Sequence, residues 1–464
     1  MNLKYDLNPM KDGLINVSIK YCFFFIIIFA LGNILVNLSR VYLFPNADIP
    51  LFWPISVFHP KILWPITLLP FNLDKINLLS AFISIALYSV VFINTILNLD
   101  KIKSKYLIYF IGAASISLSN LVHGIHDGLF YPIAGCVQNY YYDAIEIVNP
   151  YLFVSTYNQI QPELLTHSST HPPGAVLLYY YLNQFLIYPE ISSLFLMLIS
   201  LSIVYFVYNL MRQFYEEKLS LNMTLIFIFI PAIQIYYLSS IDSIISLLFI
   251  GLIYYYLQLK SNKSLYAIIA IFIFTFISSF ATYLVIYPIM AMYIDMLYKR
   301  NYGNMMLFGS MISIILSIYG YFNFDYIGGF LTASFLENPQ GFRFFSEPFS
   351  YLFTRLENIA EIVLFYGPLL TIATYKGIRH NLDNECIRFI LTFIILLLLF
   401  FFAGVARTGE TARCCIFIYP LLLIPAAYFF VDLDCTVRFN KVKLILTTLW
   451  IQTLLMQTFG FYYW

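Results

Sequence analysis

Val137–Leu178 reads VQNYYYDAIEIVNPYLFVSTYNQIQPELLTHSSTHPPGAVLL. It is polar and aromatic, holds no Lys or Arg, and interrupts a chain otherwise made almost entirely of apolar runs. A polytopic protein with no further task would join its helices by short turns. Here the stretch 123–174 instead carries His123, His126, His167 and His171, four of the six histidines. It also carries Asp127, Asp143, Glu146 and Glu163. Chemistry is expected on this segment.

The 464 residues are 61% hydrophobic and 11% charged, with a mean hydropathy of +0.79. A soluble chain carries about a quarter charged residues, so an all-α integral membrane protein is expected. A net charge of +1 argues against nucleic acid as a partner. The six cysteines form no CxxC pair and no zinc spacing, and Cys414 and Cys415 are expected only to pack. The first apolar run follows a polar start and has spanning length, so it is expected to stay as an anchor rather than be cleaved.

Runs of about 20 apolar residues place spans near 19–39, 77–98, 106–122, 190–211, 220–238, 241–259, 264–280, 283–298, 303–323, 356–375, 386–404, 415–432 and 444–460. That makes about thirteen transmembrane helices. The apolar stretch 173–187 is short and starts at Pro-Pro-Gly, which reads as a juxtamembrane helix on the outer face. With a cytoplasmic N-terminus, the inner segments hold 18 of the 25 basic residues. Arg40, Lys61, Lys75, Arg343, Arg355, Arg407 and Arg413 fall outside. This is the asymmetry of the positive-inside rule; a fourteenth span at 173–187 would invert it. The expectation is one domain, 1–464, in the plasma membrane. Its outer cap is built from 40–76, 123–189 (a first catalytic loop) and 324–355 (a second), with short polar turns at 239–242 and 405–414. Segment 40–76, with Trp53-Pro54 and Trp64-Pro65, reads as interfacial or re-entrant chain.

An acid just after a span, a Tyr-rich stretch, then His-Pro-Pro and a half-hydrophobic helix resemble the first outer loop of the GT-C glycosyltransferases. The resemblance is to the protein O-mannosyltransferase-like and aminoarabinose-transferase-like branch, where a (K/H)PP(L/G) motif precedes the returning helix. Here the motif stands as Thr170-His171-Pro172-Pro173-Gly174. A second likeness is Gly409-Glu410-Thr411-Ala412-Arg413 before an apolar helix with Pro420 and Pro425, and a third is Pro231–Asp242, PAIQIYYLSSID. Together they cover roughly 106–432. The family usually shows an Asp or Asp-Glu pair soon after the helix preceding this loop. Gln138 and Asn139 stand where such a pair would sit, and Asp127 matches better by position, with Asp143 next.

The resemblance implies transfer of a sugar, with inversion, from a polyprenyl-phosphate donor to a lipid, glycan or protein acceptor on the outer face. A carboxylate must take the acceptor's proton, cationic groups must hold the leaving phosphate, and a lipid-accessible groove must admit the carrier. Asp127, flanked by His123, His126 and Gly128, is the first candidate for the base and Asp143 the second; the plainer reading is an acid standing in water at a helix end. The same knot can hold a divalent metal, the one cofactor the sequence brings into view. Otherwise its histidines simply bond the loop.

For phosphate the outer arginines are Arg343, Arg355, Arg407 and Arg413, each otherwise a headgroup anchor. Arg413 stands out because Glu410 precedes it by three residues, on one face if the turn is helical. His171 sits before Pro-Pro with an extended backbone, presenting its ring to a cavity or merely starting a helix. His167 lies one helical turn away. Asp242 touches the acceptor or caps the next helix. Glu361, inside an apolar run, lines the cavity or braces helices. Competing readings are a transporter or flippase of lipid-linked sugars, which would need polar spans and often repeats, a polymerase or ligase of surface glycans, with Arg-rich outer loops, and a scaffold without a His and acid cluster.

Overall fold

The computed structural model describes residues 78–135, 140–238, 240–261, 264–339, 341–405, 410–431 and 433–459. The expected span 19–39, the segment 40–76 and Arg407 lie outside these residues. Among the described residues there is no strand. An apolar chain in lipid must pair its own backbone N–H and C=O groups, and a helix does this within one segment. Among the described residues, six helices are long and apolar enough to cross a membrane: Leu78–Leu97, Lys105–His123, Pro189–Arg212, Ile241–Ser261, Tyr302–Tyr321 and Glu385–Ala403. A bent pair makes a seventh if counted as one span. The described residues are all-α and compatible with a multi-pass membrane protein.

α1 (Leu78–Leu97) and α2 (Lys105–Asn120) form the first hairpin. Ser104 starts α2 by accepting from Tyr106 N, and Ser84 Oγ ties α1 to the end of α2 by donating to Leu121 O (3.1 Å). A π-helical run, His126–Gly135, leads to the cap helices α3 (Tyr140–Ile145), α4 (Pro150–Ile160), α5 (Thr166–Ser169) and α6 (Pro173–Phe185). Asn149 caps α4 by accepting from Tyr151 N and Leu152 N, and Pro150 takes its first position. α6 has 13 residues, too short to span a membrane.

The bundle continues with α7 (Pro189–Ser200), α8 (Ile203–Arg212), α9 (Glu217–Phe229) and α10 (Pro231–Tyr236). The run expected as one span at 220–238 is therefore two helices, because the ring of Pro231 cannot continue the hydrogen-bonded ladder. Next come α11 (Ile241–Ser261), α12 (Leu265–Ala281), α13 (Ile286–Tyr298), α14 (Tyr302–Tyr321) and α15 (Tyr326–Glu337), the last capped by Asp325. α16 (Pro348–Tyr366) and α17 (Pro368–His380) replace the expected straight span 356–375. They bend by 102° at Gly367, whose φ of +100° a side chain would strain. α18 (Glu385–Ala403), α19 (Thr411–Cys414), α20 (Ile418–Ala427) and α21 (Cys435–Phe459) close the bundle.

Side-chain bonds sort the turns to two ends. At one end Lys218 Nζ donates to Leu99 O (3.2 Å) and Asp100 O (3.0 Å), and Arg438 pairs with Glu216. Here too Lys260 meets Asp295 (3.2 Å) and Glu385 (2.8 Å), and Lys299 meets Asp295 (2.9 Å). At the other end, the site end, Asn120 Nδ2 donates to Gln234 O (2.7 Å), Gln457 Nε2 to Asn120 Oδ1 (3.3 Å), and His123 Nε2 bonds Gln457 Oε1 (3.0 Å). These mutually satisfied polar groups fasten α2, α10 and α21 within apolar surroundings. α11 connects the two ends: Asp242 lies in its first turn and Lys260 in its last, about 27 Å apart by helical rise.

Candidate functional site

At the site end, α6, α11, α13, α15, α18 and α19 surround a cavity of about 630 Å³. His167, His171, Asp242, Glu410 and Arg413 all line it. Five residues spread over three expected outer segments thus reach one chamber.

His171 is delivered by its two prolines. Pro172 is extended and Pro173 takes the first position of α6, so the ring stands off the helix start. The Tyr157 hydroxyl lies on Ser168 O (2.8 Å) and on His171 O, holding the turn from behind. Gly174 lets α6 close on α12: a Cβ there would sit 2.3 Å from Phe280 O. His171 Nδ1 donates to His167 O (3.1 Å), a bond that leaves Nε2 as the acceptor nitrogen. The Tyr140 ring packs edge-on against His171 (5.4 Å) and stacks on Tyr179 (5.5 Å). Burial lowers the His171 pKa below 6.5, against the opposing pull of Asp242, so the imidazole is neutral at pH 7.

Asp242 was open to a capping role in the sequence. Ser240 does that work: its Oγ accepts from Asp242 N (3.0 Å) and donates to Asp242 Oδ2 (2.9 Å). The Asp242 carboxylate is thereby aimed at Arg413, whose Nε lies 3.4 Å from Oδ2. Arg413 Nη2 meets Glu410 Oε2 at 2.7 Å, the one-face pair that their spacing implied. Burial alone would weaken the guanidinium's hold on its proton, but Glu410 and Asp242 reverse this and keep Arg413 cationic.

Glu361 does not line the cavity. It is buried beneath it, and Oε1 accepts from Ala412 N (2.9 Å), while Asn358 Oδ1 accepts from Thr411 Oγ1 (2.9 Å). Of the two roles open to Glu361, bracing is the one observed. α16 thus grips α19 and fixes the turn that bears Arg413.

The rest of the wall is largely apolar: Ile286 and Met290 from α13, Phe330 from α15, and Leu397, Phe400 and Phe401 from α18. A charged pocket grades into a hydrocarbon chamber. Such a space suits an amphiphile with a polar head and an aliphatic tail.

The first-ranked acids stand elsewhere. Asp127 and His126 bond each other (2.7 Å) in the first turn of the π-helical run and do not line the cavity; the His126 ring is largely exposed. Asp143 accepts from Leu165 N (3.1 Å) and braces the cap, and burial pushes its carboxyl up from the ordinary value. Arg343 pairs with Glu347 (3.2 Å) beside the chamber, to which its neighbours Gly341 and Phe342 contribute. Arg407 lies outside the described residues.

The metal considered for the His123, His126 and Asp127 knot finds these histidines engaged with Gln457 and Asp127. Among the described residues no group of three or more His, Cys, Asp or Glu is arranged to hold one. Sequence reasoning missed Tyr140, Tyr179, Ser240, Thr282, Glu337 and Asn338, which also line the cavity. Only Ser240, two residues before Asp242, carried a signal, that of a helix cap.

No family model, curated protein or solved structure matches the chain.

Proposed function

We propose that the protein is a glycosyltransferase of the GT-C type, moving a sugar from a polyprenyl-phosphate donor to a lipid, glycan or protein acceptor. The observation that carries this reading is the meeting of His171, Asp242, Glu410 and Arg413 at one wall of a chamber whose remaining lining is largely apolar. In the proposed reaction the bond from the anomeric carbon to the phosphate oxygen breaks, with its electron pair leaving on phosphate. The acceptor oxygen bonds to that carbon from the opposite face and yields its proton. Asp242, rather than Asp127 or Asp143, takes that proton. Arg413 turns toward the leaving phosphate and offsets its charge. The neutral His171 offers Nε2 as a hydrogen-bond acceptor to a sugar or acceptor hydroxyl.

The same reading has about thirteen spans, with the N-terminus and the basic turns cytoplasmic and the cavity on the outer face of the plasma membrane. The sorting of Lys218, Lys260, Lys299 and Arg438 to the end opposite the cavity supports it. So does the route through α16 and α17, from Glu361 beside Ala412 to Asn384, whose Nδ2 donates to Tyr428 Oη at 3.1 Å.

The test is transfer of radiolabelled sugar from polyprenyl-phosphate donors by the purified protein in lipid. Transfer lost in Asp242→Asn and kept in Asp127→Asn is expected. Transfer that survives in Asp242→Asn moves the base elsewhere. Carrier movement across the bilayer without transfer replaces the enzyme by a transporter.

A further inference from the structure

The turn joining α3 to α4 presents a run of apolar side chains away from the protein. Val148 is 95% exposed, and Ile145, Tyr151 and Leu152 are each more than half exposed. Exposure of this kind is explained only by what covers it. The opposite face of α4 is ordinary core: Phe153, Val154 and Tyr157 are buried.

The neighbour of this patch shows its level. The Tyr151 ring touches Phe322 edge-on at 6.2 Å. Phe322 is the C-cap of α14, a helix of membrane-crossing length and composition with only 22% of its apolar window buried. Most of α14 therefore faces lipid, and its last turn, with Tyr321 81% exposed, marks where hydrocarbon meets headgroup. A helix start touching Phe322 stands at that depth. Between 123 and 189 there is no Lys or Arg to attract headgroup phosphates. Apolar insertion into the interface is what remains.

The far end of the same helix is bonded to the cavity wall. Tyr157 holds the backbone of Ser168 and His171. Asn158 exchanges two bonds with Asp325 (2.8 and 2.9 Å), and Gln161 Nε2 donates to Gly329 O (2.9 Å), so α4 also holds α15.

We propose that the turn Ile145–Leu152 dips into the lipid leaflet at the site end of the bundle, and that this contact seats α4 and through it the His171 turn. The partner is a lipid surface, engaged by aliphatic and aromatic side chains. The inference does not depend on the transfer reaction.

The test uses the full chain in phospholipid nanodiscs with a benzophenone amino acid at position 148, 151 or 163; Glu163 is exposed but polar. Lipid adducts at 148 and 151 at least several-fold above those at 163 are expected by mass spectrometry. Equal yields at the three positions, or adducts to protein in place of lipid, overturn the insertion. For the coupling, Val148→Asp is expected to raise amide hydrogen exchange over 166–171 several-fold in nanodiscs. Unchanged exchange there overturns the coupling, and since Val148 touches little of the protein, misfolding is no explanation for a change.

Discussion

Glu361 Oε1 accepts the backbone N–H of Ala412 at 2.9 Å, and by that bond a buried carboxylate in α16 sets the residue next to Arg413. A carboxylate is the stronger acceptor for an orphan amide at a helix start, and a short helix such as α19 depends on such help. Glu361→Ala should cost about 2 kcal/mol, the loss expected for a buried charge-assisted bond. Glu361→Gln, which keeps an acceptor oxygen, should cost less. Thermal unfolding of both variants in the same lipid checks the order.

The Asp242, Arg413 and Glu410 contacts predict an asymmetry among variants. Asp242→Asn should lower transfer by about 10²-fold or more, the scale of a lost general base. Arg413→Lys, which keeps the charge but loses the fork, should also lower it about 10²-fold. Asp127→Asn should stay within about two-fold of wild type on the same scale. Initial rates at saturating donor decide, and equal losses in all three would contradict the assignment.

His171 gives a pH dependence. Its folded pKa is below the ordinary 6.5, so between those values the unfolded chain binds more protons than the folded one. Stability from this residue is complete above pH 6.5 and is lost as pH falls through the lowered folded value. Protonation would also set an imidazolium near Arg413. His171→Gln should flatten the acidic fall in melting temperature, read as the difference from wild type between pH 5 and 7.5.

Two glycines separate packing from site geometry. A Cβ on Gly377 would lie 1.9 Å from Pro425 O, and one on Gly174 2.3 Å from Phe280 O. Either alanine variant should lose about 1–3 kcal/mol as backbones are forced apart. Only Gly174→Ala displaces the His171 turn, so only it should also weaken binding of a polyprenyl-phosphate sugar, as seen by calorimetry.

At the opposite end, Asp295 is buried and receives Tyr256 Oη (2.5 Å) as well as Lys260 and Lys299. Asp295→Ala leaves two ammonium groups with Glu385 alone. The expected loss is about 3 kcal/mol, at the low end for a broken buried pair because the lysines keep some water. Transfer per folded molecule should be unchanged, which an activity titration against folded protein would verify.

Much of this was legible in the residues. Helical class and membrane character followed from apolar run length and charge scarcity, which act locally and need no partner. The short helix after His-Pro-Pro-Gly and the Glu410–Arg413 pair were readable because each depends on neighbours close in the chain. His171, Asp242 and Arg413 could be suspected one by one.

Their meeting could not be read. Whether an acid stands in water or in a cavity depends on which helices pack together, and Asp127, first by position in the chain, pairs with its neighbour His126 outside the chamber. Asp242 is carried there by α11 and met by Arg413 from α19. Glu361 read as a cavity residue or a brace, and only the contact with Ala412 chose between them. Pro231 and Gly367 likewise broke two runs that hydropathy reads as continuous, since hydropathy sums side chains and does not register a bent backbone. Sequence alone determined what the chain is made to dissolve in; tertiary packing decided which of its few charges face one another.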